Sequence, residues 1–248
     1  MNYKILLSSK QKIFIEQIYG FINIRKNSLI IGFEDSTKII RLREELDLYR
    51  ERNTELLKRF FTLSKRLERE EIASFEGLEK RDPEAKKILV NLAQETKSVS
   101  VGDINIGLFG LTSTGKSTIL NSIIGQKVAD TGVRETTTKL TPYSVPKYTL
   151  WEAPGRNDEI SYLSMEYISF FKGLSRRLIV IQKSVKENSS IMKLLDEIGL
   201  HYDIVFNKFD KFKSEEQEVV KNKIKSEMQI IGLKGVEHTY FVSAQNPK

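Results

Sequence analysis

Gly110-Leu-Thr-Ser-Thr-Gly-Lys-Ser-Thr118 decides how this chain folds. The run fits the phosphate-loop pattern GxxxxGKS/T, and its flanks are those the pattern needs. The apolar stretch Ile104-Asn-Ile-Gly-Leu-Phe109 before it reads as a strand, and Thr118-Ile-Leu-Asn-Ser-Ile-Ile124 after it reads as a helix. Glycines at both ends let the backbone close around an oligophosphate, while the N–H groups at the helix start point inward at its charge. Gly110, Thr112, Ser113, Thr114, Gly115, Lys116, Ser117 and Thr118 are therefore the candidate cradle. Within it the Lys116 ammonium is placed to reach the β and γ phosphates, and the Ser117 hydroxyl to bind Mg²⁺.

Downstream, the apolar run Tyr202-Asp-Ile-Val-Phe206 ends in Asn207-Lys-Phe-Asp210. NKxD at a strand end is a guanine-reading motif. The Asp210 carboxylate accepts from guanine N1–H and the exocyclic amine, and adenine leaves it unpaired. Asn207 ties this loop to the phosphate loop, and the Lys208 stem lies over the base. A last strand, Thr239-Tyr-Phe-Val242, leads into Ser243-Ala-Gln245, which matches the SAK/Q loop whose alanine N–H meets guanine O6. Ser243, Ala244 and Gln245 thus join Asn207, Lys208 and Asp210 as base contacts. In this order the three motifs imply GTP or GDP as ligand, with Mg²⁺ as its metal.

Between Asp103 and the end of the chain, apolar runs at 104–109, 140–145, 148–152, 177–182, 202–206 and 239–242 alternate with helical stretches. That alternation predicts an α/β domain, a mostly parallel sheet with helices on both faces. We assign it to 101–248. No helix-forming stretch follows the SAK/Q loop, so the domain is expected to lack its final helix. The first hundred residues read as a helical arm. A helix capped by Ser36 is expected to run to about Glu79, with a seam at Ile39, Leu42, Leu46, Tyr49, Asn53, Leu56, Phe60, Leu63 and Leu67. Steps of three and four over 39–67 suit a coiled coil, with Asn53 as a register-fixing amide. The same seam suits a hairpin packed on the α/β domain, and both readings stay open. Asp82-Pro83-Glu84 starts another helix, with Asp as cap and Pro in the first turn. Residues 1–34 carry no decisive pattern.

Composition narrows the rest. There is no cysteine and there are only two histidines in 248 residues, so no disulfide framework or zinc site is available. No apolar run approaches the ~20 residues that span a bilayer, and no signal peptide is evident. A cytoplasmic protein is expected. The net charge of +7 is spread evenly, with 20 basic and 16 acidic residues in 1–100 and 20 and 17 in 101–248. That pattern argues against a specific nucleic-acid site and leaves weak peripheral attraction to an anionic membrane open.

With the motifs in place, the C-terminal part resembles the large GTPases of the dynamin superfamily, most of all the immunity-related (interferon-inducible) GTPases and bacterial dynamin-like proteins. The carrying stretches are Gly110 to Gly125, Thr131 to Tyr143 (TGVRETTTKLTPY), Trp151 to Gly155 (WEAPG) and Asn207 to Asp210. The resemblance implies that Thr136-Thr-Thr138 is the first switch, with Thr137 binding Mg²⁺ when the γ-phosphate is present. It implies that Trp151–Gly155 is the second, with the Gly155 N–H holding that phosphate. Glu152 stands where the family usually has an aspartate that touches Mg²⁺ through water. Its extra methylene either still reaches or carries the carboxylate aside. Dynamins place a Gln-Ser pair where this chain has Thr112-Ser113, and Arg156 follows Gly155 where some small GTPases have a water-orienting glutamine. Lys116, Ser113, Thr137 and Gly155 are the catalytic candidates, and Ser117, Thr137 and Glu152 the metal candidates. The resemblance implies slow hydrolysis of GTP to GDP and phosphate, stimulated by self-association into a homodimer or larger assembly. The alternative is a GTP-sensing scaffold that acts through nucleotide-dependent partner binding.

Overall fold

The computed structural model describes residues 33–100, 102, 104–130, 140–155 and 162–244. Seven strands form one sheet: β1 (Phe33–Glu34), β2 (Asn105–Phe109), β3 (Thr141–Val145), β4 (Tyr148–Glu152), β5 (Arg176–Ile181), β6 (Tyr202–Phe206) and β7 (Val236–Phe241). Their order is β1-β3-β4-β2-β5-β6-β7. β2 pairs in parallel with β4 and β5, and β6 with β5 and β7. The hairpin β3–β4 and the pair β1–β3 are antiparallel. The expected strands all form within about three residues of their predicted ends. β1 is an addition, a two-residue edge strand from the stretch that carried no decisive pattern.

Helices α1 (Ser36–Arg52), α2 (Thr54–Arg69), α3 (Phe75–Arg81) and α4 (Pro83–Glu95) make the arm. They are followed by α5 (Lys116–Ile124), α6 (Met165–Gly173), α7 (Ser189–Glu197) and α8 (Ser214–Ile231). One face of the sheet packs on α5, through Leu108, Leu120, Leu150, Val180 and Val205. The other packs on α6, α7 and α8, through Phe109, Trp151, Phe170, Leu195, Phe206 and Ile224. Trp151 is buried there, edge-on to Phe170 of α6 (5.4 Å between centroids). Its Nε1–H donates to Asn105 Oδ1 (2.8 Å). No helix among the described residues is long and apolar enough to cross a membrane.

The predicted single helix over 36–79 is corrected. Asn53 breaks it: its own φ and ψ of −122° and 36° leave the helical region, and its side-chain Nδ2 (2.8 Å) and backbone N–H (3.0 Å) both donate to Tyr49 O. Asn53 is thus a local stop and does not act as a buried register-fixing amide. The cap of α1 is Asp35, whose side chain accepts from Lys38 N, and not Ser36. α2 ends at Arg69 on a Schellman turn, with Ile72 N bonded to Leu67 O and Glu71 N to Glu68 O. Glu71 takes the left-handed φ of 51° that glycine usually fills. Asp82 caps α4 as predicted, accepting from Ala85 N (2.9 Å).

Of the seam, Leu42, Phe60, Leu63 and Leu67 are buried by this chain's own side chains, and Ile39, Leu46, Tyr49, Asn53 and Leu56 are partly buried. Phe60, Leu63 and Leu67 form a core with Ile72, Phe75, Leu78, Leu89 and Leu92 of the arm and with Leu163, Met165, Ile168 and Leu194 beyond it. Leu42 lies in the core beneath the sheet. The buried part of the seam thus packs within the chain, with α1 and α2 as separate helices on either side of Asn53. Phe60→Asp therefore places a carboxylate in a core, and the expected result is a loss of about 3 kcal/mol or more in unfolding free energy. Urea titration checks it; a variant as stable as the parent would return the seam to an intermolecular role.

Candidate functional site

The cradle forms at the C-terminal ends of β2, β4, β5, β6 and β7, where open α/β sheets bind ligands. Two glycines shape it. A Cβ on Gly110 (φ 140°) would lie 2.4 Å from Val180 O, and one on Gly115 (φ 90°) 2.3 Å from Asn207 Nδ2. Ser113 adopts a left-handed φ of 64°, so the loop turns back on itself before α5. Lys116 is buried, with Nζ donating to Gly110 O (2.9 Å) and Leu111 O (3.1 Å). The ammonium is thus held inside the loop that it would leave for a phosphate. Thr118 follows in the first turn of α5, and Thr114 is buried with its Oγ1 on Leu111 O (2.9 Å).

The base loop is tied to this cradle. Asn207 Nδ2 donates to Thr114 O (2.9 Å), and Asn207 Oδ1 accepts from Lys208 N (2.8 Å) and Ala244 N (3.3 Å). A single buried amide therefore fastens the phosphate loop, the NKxD loop and the SAK/Q loop together. Lys208, in a left-handed turn at φ 60°, extends its Nζ to Ser113 O (3.2 Å). Burial holds its ammonium below the usual lysine range, and the nearby Lys211 charge lowers it further. The Asp210 backbone N–H donates to Ser243 Oγ (2.9 Å), and the residue is exposed. Gln182, at the end of β5, also donates to Ser113 O. No motif marks Gln182; only the pairing of β5 beside β2 brings it to the loop.

At the metal corner, Ser117 Oγ donates to Glu152 Oε1 (2.5 Å). Glu152 is buried at the last position of β4, paired with both β2 and β3. The extra methylene reaches the serine directly. With its proton committed to Glu152, the Ser117 oxygen keeps its lone pairs for a hard cation, so hydroxyl and carboxylate suit Mg²⁺. Gly155 lies against the loop: Thr112 Oγ1 donates to Gly155 O (2.7 Å), and a Cβ on Gly155 would be 2.6 Å from Thr112 Cα. Thr112, Ser113, Lys116, Ser117, Glu152 and Gly155 are thus brought to one corner. Thr137 and Gln245 lie outside the described residues, as do Arg134 and Arg156.

The sequence profile of the 50S ribosome-binding GTPase family matches residues 105–231, just over half of the chain. No curated protein sequence matches significantly. Among solved structures, the elongation factor SelB from Methanococcus maripaludis in its apo form is 21% identical. The match covers 58% of this chain and 30% of that one, with a TM-score of 0.41. A probable GTP-binding protein engB is 16% identical over 58% of this chain and 90% of its own, with a TM-score of 0.40. An NFeoB mutant from S. thermophilus bound to GMPPNP is 18% identical over 58% and 56%, with a TM-score of 0.43. This chain spans less than a third of SelB and of a bacterial selenocysteine-specific elongation factor EF-Sec, at 30% and 26% of their lengths. The profile match runs from the strand before the phosphate loop to the end of α8, over the phosphate loop and the NKxD loop, and by it the chain belongs to the 50S ribosome-binding GTPase family.

Proposed function

We propose that this chain is a GTP-operated switch that hydrolyses GTP to GDP and phosphate slowly alone and faster on self-association. The observation that carries the GTP part is the three-way tie at Asn207, which holds the phosphate, NKxD and SAK/Q loops in one frame. In this reading Lys116 and the N–H groups of 113–118 hold the phosphates, and Asp210 reads guanine. Ser117, oriented by Glu152, binds Mg²⁺ together with Thr137. Gly155 meets the γ-phosphate, and Ser113 helps form the catalytic wall. The dynamin-like or immunity-related type is supported by the stretches Thr131–Tyr143 and Trp151–Gly155. A cytoplasmic setting, with at most peripheral contact to an anionic membrane, belongs to the same proposal.

Self-association enters because neither Thr112 nor Arg156 supplies the carboxamide that orients water in related enzymes. A positioning group or cation from a facing subunit is worth as much as ~10³–10⁵ in rate. Arg134 and Arg156, beside the switches, are the candidates to act in trans. The rate per subunit should rise with protein concentration to a plateau in single-turnover assays, accompanied by a GTP-dependent rise in light scattering. A constant low rate over about a hundredfold range of concentration would favour the scaffold reading, to which the same missing carboxamide points.

A further inference from the structure

The arm grips both elements that follow the switch stretches. At the start of α1, Asp35 N donates to Pro142 O (3.0 Å) and Ser144 Oγ donates to Asp35 Oδ2 (2.7 Å), while Lys38 Nζ donates to Thr149 Oγ1. These partners lie on the hairpin β3–β4, which leads out of the first switch. At the other end of α1, Arg50 Nε donates to Glu166 Oε1 (3.0 Å), in the first turn of α6. Helix α6 follows the second switch. A helix of this length spans about 25 Å at 1.5 Å per residue.

Helix α6 is held a second time, at its other end. Lys172 Nζ donates to Ala93 O (2.7 Å), Gln94 O (3.2 Å) and Thr96 O (2.6 Å). It therefore caps the C-terminus of α4 with a charge of the sign the helix dipole favours. Just beyond, Val99 N donates to Ser169 O (3.1 Å). Met165 and Ile168 meanwhile share a core with α2, α3 and α4. On the nucleotide side, Thr112 Oγ1 of the phosphate loop donates to Gly155 O (2.7 Å), and Tyr162, packed on Phe171 of α6, donates its hydroxyl to Pro154 O (3.4 Å). Close-packed contacts of this kind pass displacement on and do not absorb it.

We propose that α1 is a strut joining the flanks of the two switches, so that α1, α4 and α6 shift as one body between the GTP and GDP states and the helical arm reads out the bound nucleotide. The inference rests on the GTP reading above. It differs from the proposal of self-association in placing the output on the arm.

Amide hydrogen exchange on the full chain, with GDP and with a non-hydrolysable GTP analogue, tests it. In the parent, α1 and residues 92–97 should exchange about threefold or more differently between the two states. Lys172→Met, which uncaps α4, should remove that difference while the phosphate loop still responds and both nucleotides still bind. Arg50→Gln weakens a partly exposed ion pair of the kind that contributes little to stability, and should remove the difference in the second half of α1. Equal exchange of the arm in the two states, with the phosphate loop responding, would overturn the strut, as would variants that keep the full response. A phosphate loop protected by neither nucleotide would instead overturn the GTP reading itself, and the strut with it.

Discussion

Lys116→Ala should lower the affinity for both GTP and GDP by about a hundredfold or more. Two charge-assisted hydrogen bonds to phosphate oxygens, at about 1.5–3 kcal/mol each, convert to roughly 10²–10⁴ in Kd. The loss falls on both nucleotides because the β-phosphate is common to them. The ammonium is already desolvated in the loop, resting on the Gly110 and Leu111 carbonyls. Little side-chain entropy is then left to lose when it turns to a phosphate. Titration calorimetry with each nucleotide checks the result, and a thermal melt separates loss of binding from loss of fold. A Lys116→Ala protein that binds GTP like the parent would remove the loop from the site.

Asp210→Asn should weaken GTP by about a hundredfold and turn the preference toward xanthosine triphosphate. The carboxylate offers two acceptors to the two donors of guanine. An amide keeps one acceptor and sets an unpaired donor against the exocyclic amine, costing about 1–3 kcal/mol for each mismatched group. Xanthine carries an oxygen at that position and accepts from the amide. The loop itself should be little disturbed, since it is positioned through backbone and neighbours: Asp210 N on Ser243 Oγ and Phe209 N on Val242 O. Competition between the two triphosphates for a fluorescent nucleotide measures the exchange of preference. Equal affinity of the parent for ATP and GTP would sink the guanine assignment.

The α/β half was readable because its signals are local and redundant. Each strand is a short apolar run that ends in a loop with its own chemistry, so period and motif agree at Phe109, Glu152, Phe206 and Val242. Much of the arm was not readable. Periodicity over Ile39 to Leu67 marks which side chains must be covered and is silent on what covers them. Part of the covering came from Leu163, Met165, Ile168 and Leu194, about a hundred residues or more away. The break at Asn53 depends on the backbone angles of one residue, and the stop at Glu71 on a non-glycine residue in a left-handed turn, so neither leaves a composition cue. In the site, Gln182 on Ser113 and Thr112 on Gly155 were hidden for a related reason: each joins segments that only the sheet order makes neighbours. The reach of Glu152 to Ser117 was left open by the sequence, because one methylene matters only once both backbones are fixed.

Trp151 gives the protein an optical property. It is the sole tryptophan of the chain, so the indole emission comes from one place. That ring is shielded from water, with its N–H fastened to Asn105, which calls for a blue-shifted spectrum. It stands one residue before Glu152 and edge-on to Phe170 of α6, between the metal corner and the helix that the arm holds. A shift of that corner alters the polarity and quenching around a single chromophore, and occupancy of the cradle becomes readable as light, without a label.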